Sequence, residues 1–128
     1  MTRAYPVRKL EPIVLVAIGG FAGSNLRYFV ELLVPATLVA TALVNVVGSF
    51  ALGFIFYENQ FAGRISVSAR RVLATGFLSS FTTYSTFVVD TVMAEPAVGA
   101  VYVVGSYALG FVGVLFGRGL AGLAGGES

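Results

Sequence analysis

The sequence predicts an all-α integral membrane protein in which four transmembrane helices form a bundle, and three observations lead to this fold class. The 128-residue chain contains 57% hydrophobic and only 11% charged residues, whereas soluble domains carry about 25% charged residues. Four long stretches with few or no charges are separated by short charged segments. Small residues recur four positions apart within these stretches, as they do in helices that pack closely inside membranes.

The charges and prolines locate each helix in turn, because a helix that crosses a bilayer needs about 20 mostly apolar residues. The stretches that meet this requirement are residues 12–32, 37–58, 69–93 and 97–118. Pro35 lies in the first loop, and Pro96 suits the first turn of the fourth helix. A single membrane domain therefore covers residues 1–128, and its tail from about residue 121 to 128 is expected to be disordered.

The first stretch has a second interpretation, because Arg3, Arg8 and Lys9 precede an apolar run that ends near Ala22. A cleaved signal peptide shows the same pattern. Cleavage would leave three spans and would remove the partner that the first span offers to the polar third span.

The composition excludes several classes of function. The chain contains neither Cys nor His, so it has no disulfides, no thiolate or histidine metal sites, and no Cys or His nucleophile–base pairs. Its eight basic residues form no dense cluster, which argues against a nucleic-acid-binding surface. No set of nucleophile, base and orienting group can be drawn from the other residues, so the chain is not expected to be an enzyme.

The distribution of Lys and Arg predicts the orientation of the chain in the plasma membrane. With four spans, the N-terminus, the middle loop and the C-terminus share one side of the bilayer. That side carries Arg3, Arg8, Lys9, Arg64, Arg70, Arg71 and Arg118. The two short loops on the other side carry Glu31 and Glu95 but no basic residue. Because basic residues flank spans on the cytoplasmic side, both termini are expected in the cytoplasm.

The second and fourth spans each carry a polar face. Thr41, Asn45 and Ser49 follow one another at intervals of four, and so do Tyr102 and Ser106 in the fourth span. A buried amide without partners is costly in hydrocarbon. Asn45 therefore indicates either a hydrogen bond that joins two helices or a polar track through the membrane, and the second span alone does not decide between them.

The third span contains the most polar segment, residues 79–87, in which six of nine residues are Ser or Thr. Hydroxyls that bond to the preceding turn bend or open a helix, and Gly76 lowers the cost of a break. We therefore predict a broken helix that presents free carbonyls to a cavity. The alternative is a continuous helix whose hydroxyls bond to its own backbone. Arg27, the only cation more than two residues from the end of a span, indicates either a functional charge or a side chain that reaches the interface.

These segments resemble the Fluc/CrcB family of fluoride channels. Residues 19–28, Gly-Gly-Phe-Ala-Gly-Ser-Asn-Leu-Arg-Tyr, are similar to the family's opening motif. Residues 41–50, Thr-Ala-Leu-Val-Asn-Val-Val-Gly-Ser-Phe, resemble its second-helix signature. Residues 76–87, Gly-Phe-Leu-Ser-Ser-Phe-Thr-Thr-Tyr-Ser-Thr-Phe, resemble its third-helix signature. Tyr102 and Ser106 match the pattern of its fourth helix.

This resemblance, which covers about residues 13–118, implies an antiparallel dimer with two pores that export fluoride from the cytoplasm and relieve fluoride toxicity. A structural Na⁺ at the dimer centre, not transported, would be held by the backbone carbonyls of Ser79 and Thr82. Arg27 would give the pore mouth a positive potential. The residues implied to line the pore or bind fluoride are Thr41, Asn45, Tyr84, Ser85, Phe87, Tyr102 and Ser106. Amides, hydroxyls and aromatic ring edges are groups that can replace the water around a small anion.

The chain departs from the family pattern at two places. Ser79 and Ser80 stand where the family has a Gly-Gly pair, and Tyr84 stands where it has the first pore phenylalanine. A glycine-specific backbone angle would not survive the first change, and a phenol adds bulk and a donor to the pore. A subunit that does not conduct, or that conducts only with a partner, is therefore an alternative function.

The strong bias of positive charge toward one side bears on assembly, since an antiparallel homodimer requires that the same chain insert both ways. We therefore hypothesise a heterodimer with an oppositely oriented paralogue. A small multidrug antiporter is a second alternative function. That chemistry needs a membrane-embedded carboxylate for proton exchange, and the first span has no acid near its middle.

Overall fold

The computed structural model describes residues 4–124, with side chains from residue 9 onward, and this part of the chain is helical with short connections. Three of the four predicted spans are single helices: α1 (Ala4–Leu33), α2 (Thr37–Phe61) and α5 (Pro96–Ala124). The third span is divided into α3, residues 67–81, and α4, Ser85–Met93. Residues 82–84 between them are not helical, so the predicted break in the third helix is confirmed.

The helices provide four segments that are long and apolar enough to cross a membrane, which confirms the predicted number of spans. α1 begins before Pro12, and the N–H that proline lacks costs this helix one hydrogen bond. α5 continues to Ala124, so the first part of the predicted disordered tail is helical. Some residues to which roles were assigned from the sequence lie outside the described part of the chain. They are Arg3, the side chain of Arg8 and residues 125–128.

The helices associate as two parallel pairs, α1 with α3 and α2 with α5, whose backbones approach closely at glycines. A methyl group at Gly23 would collide with the backbone carbonyl of Phe77. A methyl group at Gly53 would lie 2.7 Å from the carbonyl oxygen of Val114, closer than ordinary contacts allow. The small residues that recur four apart in the sequence therefore serve to bring helices together.

Most of α3 is a π-helix, Arg71–Leu78, which the sequence did not predict. Gly76 lies in this section, and a Cβ added there would come within 2.6 Å of the carbonyl oxygen of Val16 in α1. Close packing of α1 therefore explains this glycine, and the break that it was expected to favour lies farther along, after Phe81. π-Helical segments are rare and frequently occur beside functional sites.

The core of the subunit is small, as expected for a protein whose outer faces contact lipid. Val44 of α2 and Phe81 of α3 are 1% and 6% exposed and pack in the same cluster. Many other large apolar side chains point outward, among them Phe21 and Leu123, which are 75% and 82% exposed. Lipid tails are as apolar as these side chains and cover them without cost. The chain is therefore a multi-pass membrane protein.

Candidate functional site

The break between α3 and α4 is held by the side chain of Asn45. The Asn45 carboxamide nitrogen donates to the Thr83 carbonyl at 2.9 Å, and its oxygen accepts the Thr83 backbone N–H at 2.8 Å. These two bonds replace backbone partners that Thr83 loses when the helix opens. One of the two N–H bonds of the Asn45 amide remains without a partner among the described residues. Asn45 therefore both joins two helices and keeps a free donor.

The hydroxyls around the break bond mainly to the backbone of their own span. The alternative interpretation of this span predicted such bonds in a continuous helix, but the helix is broken. The Ser79 hydroxyl donates to the Thr75 carbonyl, and the Thr82 hydroxyl donates to the Leu78 carbonyl at 2.9 Å. Thr83 accepts the Thr86 N–H at 3.2 Å through its hydroxyl oxygen and so caps the start of α4. The hydroxyls thus stabilise both ends of the break.

Two backbone carbonyls at the break have no hydrogen-bond donor among residues 4–124. The Thr83 N–H, which would bond to Ser79 in an unbroken helix, donates to Asn45 instead. Thr82 is extended, with φ −84° and ψ 165°, and its carbonyl is likewise free. Ser79 has helical angles, φ −67° and ψ −25°, so serine in place of glycine causes no backbone strain here.

Two grooves meet at Asn45 and Tyr84. The α2–α5 groove has a volume of about 280 Å³. Its lining includes Asn45, Ser49, Tyr84, Phe87, Ser106 and Tyr107. The α2–α3 groove has a volume of about 430 Å³, and its lining includes Asn45, Ser49, Ser79, Thr82, Thr83 and Tyr84. Both grooves open on the outside of the subunit, where Tyr84 is 71% exposed.

Phe87 is the centre of an aromatic cluster beside the α2–α5 groove. Its ring lies 5.2 Å from the ring of Tyr102 and 6.1 Å from those of Tyr84 and Tyr107, centroid to centroid. The Tyr107 ring is nearly perpendicular to that of Phe87, at 85°. Phe87 is 8% exposed, so the cluster fixes its orientation. Edge-to-face packing of this kind presents electropositive ring edges to neighbouring groups.

A buried carboxylate that is not among the predicted site residues, Asp90, lies between α2 and α4. Asp90 is 9% exposed and accepts hydrogen bonds from the hydroxyls of Thr37, at 3.1 Å, and Thr41, at 3.0 Å. The hydroxyl of Tyr102 is buried beside the Thr41 side chain and near the carboxylate of Asp90. A charged side chain inside a span is a functional candidate by default. The same rule that singled out Arg27 in the sequence would therefore have singled out Asp90 as well.

The structure brings together part of the predicted site. Asn45, Tyr84, Phe87 and Ser106 line one groove. The others lie elsewhere: the Thr41 hydroxyl is buried and bonded to Asp90, Ser85 is exposed at the start of α4, and Tyr102 contacts the groove only through Phe87. Ser79 and Thr82 line the neighbouring α2–α3 groove. Arg27 is half-buried on α1 and has no ion pair or hydrogen bond among the described residues.

Comparison with known proteins identifies the family. The family model described as "CrcB-like protein, Camphor Resistance (CrcB)" matches residues 14–118. A protein of Haloarcula marismortui named "Fluoride-specific ion channel FluC 1" is 56% identical over 118 residues, 92% of this chain and 91% of its own. One of the same name from Natronomonas pharaonis is 49% identical over 111 residues, 86% of this chain and 93% of its own. "Fluoride-specific ion channel FluC 2" of Halobacterium salinarum is 46% identical, covering 88% of each chain.

No solved structure matches the chain. The match to the family model spans most of the chain, and the relatives are alike over nearly their whole length. The small multidrug antiporter considered above is therefore excluded. The chain belongs to the CrcB family, which is a family of membrane ion channels and not of enzymes.

Proposed function

We propose that this chain forms a fluoride-selective channel that lets fluoride leave the cytoplasm and so relieves its toxicity. The observation that carries the proposal is the free N–H of Asn45, held by Thr83 at the point where two polar-lined grooves meet. The names of the relatives specify the anion. Because the donor is fixed by the backbone of another helix, it is oriented before an anion arrives.

The α2–α5 groove offers donors without offering fixed positive charge. The side chains of Asn45, Ser49 and Ser106 line it, and so do the aromatic residues Tyr84, Phe87 and Tyr107. A volume of about 280 Å³ holds several water molecules at ~30 Å³ each. A strongly hydrated anion can thus exchange its water stepwise for these donors. Weak, distributed donors let an ion bind and leave, as conduction requires.

Tyr84 lines both grooves, and its ring contacts the ring of Phe87. The residue is 71% exposed in the single subunit, so its ring is little confined there. We infer that the hydroxyl adds one donor to the pore and does not block it. The competing interpretation is that Tyr84 blocks the pore and that the subunit does not conduct. The flux assay described below distinguishes the two.

A second subunit is needed to close both grooves, since each opens on the outer face of this one. An antiparallel dimer would place the two breaks in the third spans against each other and would give two pores. Arg27, half-buried and unpaired among the described residues, would then contribute a positive potential near a pore mouth. The charge bias toward one side favours a paralogue as the partner, and the numerals 1 and 2 in the relatives' names are compatible with this.

A structural Na⁺ fits the oxygens at the break. The carbonyls of Ser79 and Thr82 are free of hydrogen bonds within the described chain and are hard ligands suited to such an ion. The helical angles of Ser79 remove the objection that serine replaces glycine there. Within the described residues no cluster of carboxylates offers a competing metal site. When bound, the ion would supply positive charge that holds two breaks together.

The test is ion efflux from liposomes that contain the purified chain, alone or with its co-expressed paralogue, with either fluoride or chloride loaded inside. When the paralogue is present, we expect rapid loss of fluoride, no loss of chloride, and no fluoride loss for Asn45→Asp, which replaces the donor by an acceptor. Asn25→Ala serves as a control, since the Asn25 amide bonds only to Phe21 of its own helix. Efflux from the chain alone would refute the heterodimer. Folded protein that stays silent alone and with the co-expressed paralogue would refute the channel function itself.

A further inference from the structure

An apolar groove lies at the end of the bundle where α2 and α5 finish. It is bounded by Phe61 of α2 and by Leu115, Gly119 and Gly122 of α5, and Arg118 stands at its rim. Phe61 and Leu115 are 48% and 61% exposed. A Cβ added at Gly119 would meet no atom within 4 Å, so this side of α5 is uncovered. The volume of the groove is about 420 Å³.

Arg118 is held over this groove without an acidic partner. Its guanidinium carbon lies 5.3 Å from the centre of the Tyr57 ring, a cation–π contact that orients the side chain. No carboxylate of the described residues forms an ion pair with it. A guanidinium fixed in this way keeps its planar fork of donors available, and that fork matches the oxygens of a phosphate.

The depth of Arg118 in the bilayer follows from the length of α5. The helix begins at Pro96, and about 20 residues of helix cross a hydrocarbon layer about 30 Å thick. Arg118 therefore lies at the boundary between hydrocarbon and headgroups, and the groove extends from it along the last turns of α5. A ligand that occupies both places must carry an anionic head and an apolar tail.

We propose that this groove binds one anionic phospholipid, with its phosphate on Arg118 and part of an acyl chain between Phe61 and Leu115. Charge complementarity and the position at the membrane boundary select a lipid as the occupant. Arg64, whose guanidinium donates to the Ala124 carbonyl at 3.2 Å, ties the adjoining loop to the end of α5 and keeps the groove formed. The proposal requires that the chain is embedded in a membrane and is independent of fluoride conduction.

The test is native mass spectrometry of the full-length protein in detergent with phosphatidylglycerol or phosphatidylcholine added at equal concentration. We expect phosphatidylglycerol adducts to be retained in preference. Arg118→Gln should reduce their retention roughly five- to tenfold, as expected when one cation is removed from an anionic headgroup. Arg71→Gln is the matched control, because Arg71 lies on the same predicted side but does not line the groove. Gly119→Leu should fill the groove and reduce retention without disturbing the fold.

Several outcomes would overturn the proposal. Equal retention of the two lipids would mean that the headgroup is not recognised. An equal loss for Arg71→Gln and Arg118→Gln would mean a diffuse electrostatic effect. Inorganic phosphate that displaces the lipid completely would mean an anion site with no role for the acyl chain, and unchanged retention in Gly119→Leu would point to the same conclusion. Each readout is an adduct mass, so a failure here leaves the channel proposal untouched.

Discussion

Replacing Asn45 by Ala should test whether this side chain holds the break in the third span, because the variant loses both bonds to Thr83. The wild-type amide satisfies two backbone groups of Thr83, at 2.8 and 2.9 Å, and Thr83 is 8% exposed. In the variant both groups lose their partner. A buried polar group left unsatisfied costs about 1–3 kcal/mol, so the pair costs about 2–6 kcal/mol.

Water moderates this cost, because the grooves on both sides of the break admit it. A water molecule that bonds to either group recovers much of the lost stability. We therefore expect Asn45→Ala to destabilise the protein by about 2–4 kcal/mol, the lower half of the range of about 2–6 kcal/mol. At roughly 2–8 °C for each kcal/mol, the midpoint of thermal unfolding in detergent should fall by at least about 4 °C.

The matched control is Asn25→Ala. The Asn25 amide donates to Phe21 of its own helix at 2.7 Å on an exposed face, so its loss should change stability by less than about 0.5 kcal/mol. Unfolding can be followed by circular dichroism at the helix band, since the chain has no Trp. Equal midpoints for the two variants would refute the claim that Asn45 holds the break.

Three further predictions concern other buried features, and two of them have a matched control variant. Asp90→Ala should destabilise the protein by about 2–4 kcal/mol, because two threonine hydroxyls lose a buried acceptor; denaturation against wild type in the same detergent checks this, and an unchanged midpoint would contradict it. Gly53→Ala should destabilise by about 1–3 kcal/mol through its contact with α5, whereas Gly105→Ala, with open space around it, should stabilise by about 0.5–1 kcal/mol. The buried carboxylate of Glu58 accepts hydrogen bonds from the backbone N–H groups of Arg64, at 2.8 Å, and Ile65, at 3.4 Å. Glu58→Ala should therefore speed hydrogen exchange at these two amides. Glu95→Ala, at an exposed position, should leave their exchange unchanged.

The sequence predicts the four spans and the broken third helix because both follow from local properties. Charge and hydropathy mark where a helix enters and leaves a membrane, and a run of hydroxyls marks where its backbone can open. The role of Asp90 was not predicted because it depends on partners in another helix, Thr37 and Thr41, which are 53 and 49 positions away in sequence. The π-helix was not predicted for a similar reason. It coincides with the close approach of α1 at Gly76, and this contact between distant parts of the sequence exists only in the folded chain.

The two interpretations of Asn45, helix glue and polar track, are compatible because a carboxamide has more bonding groups than either role uses. Its oxygen and one N–H are committed to Thr83, and the second N–H remains. These two hydrogen bonds occupy the Asn45 oxygen, which would repel an anion. They also fix the direction of the remaining N–H, which would attract one. The same bonds take the Thr83 N–H away from Ser79 and so free the carbonyl proposed to hold Na⁺. A single side chain thus links the opening of the third helix to both proposed ion sites, and loss of Na⁺ affinity and of fluoride flux should therefore occur together in Asn45→Ala.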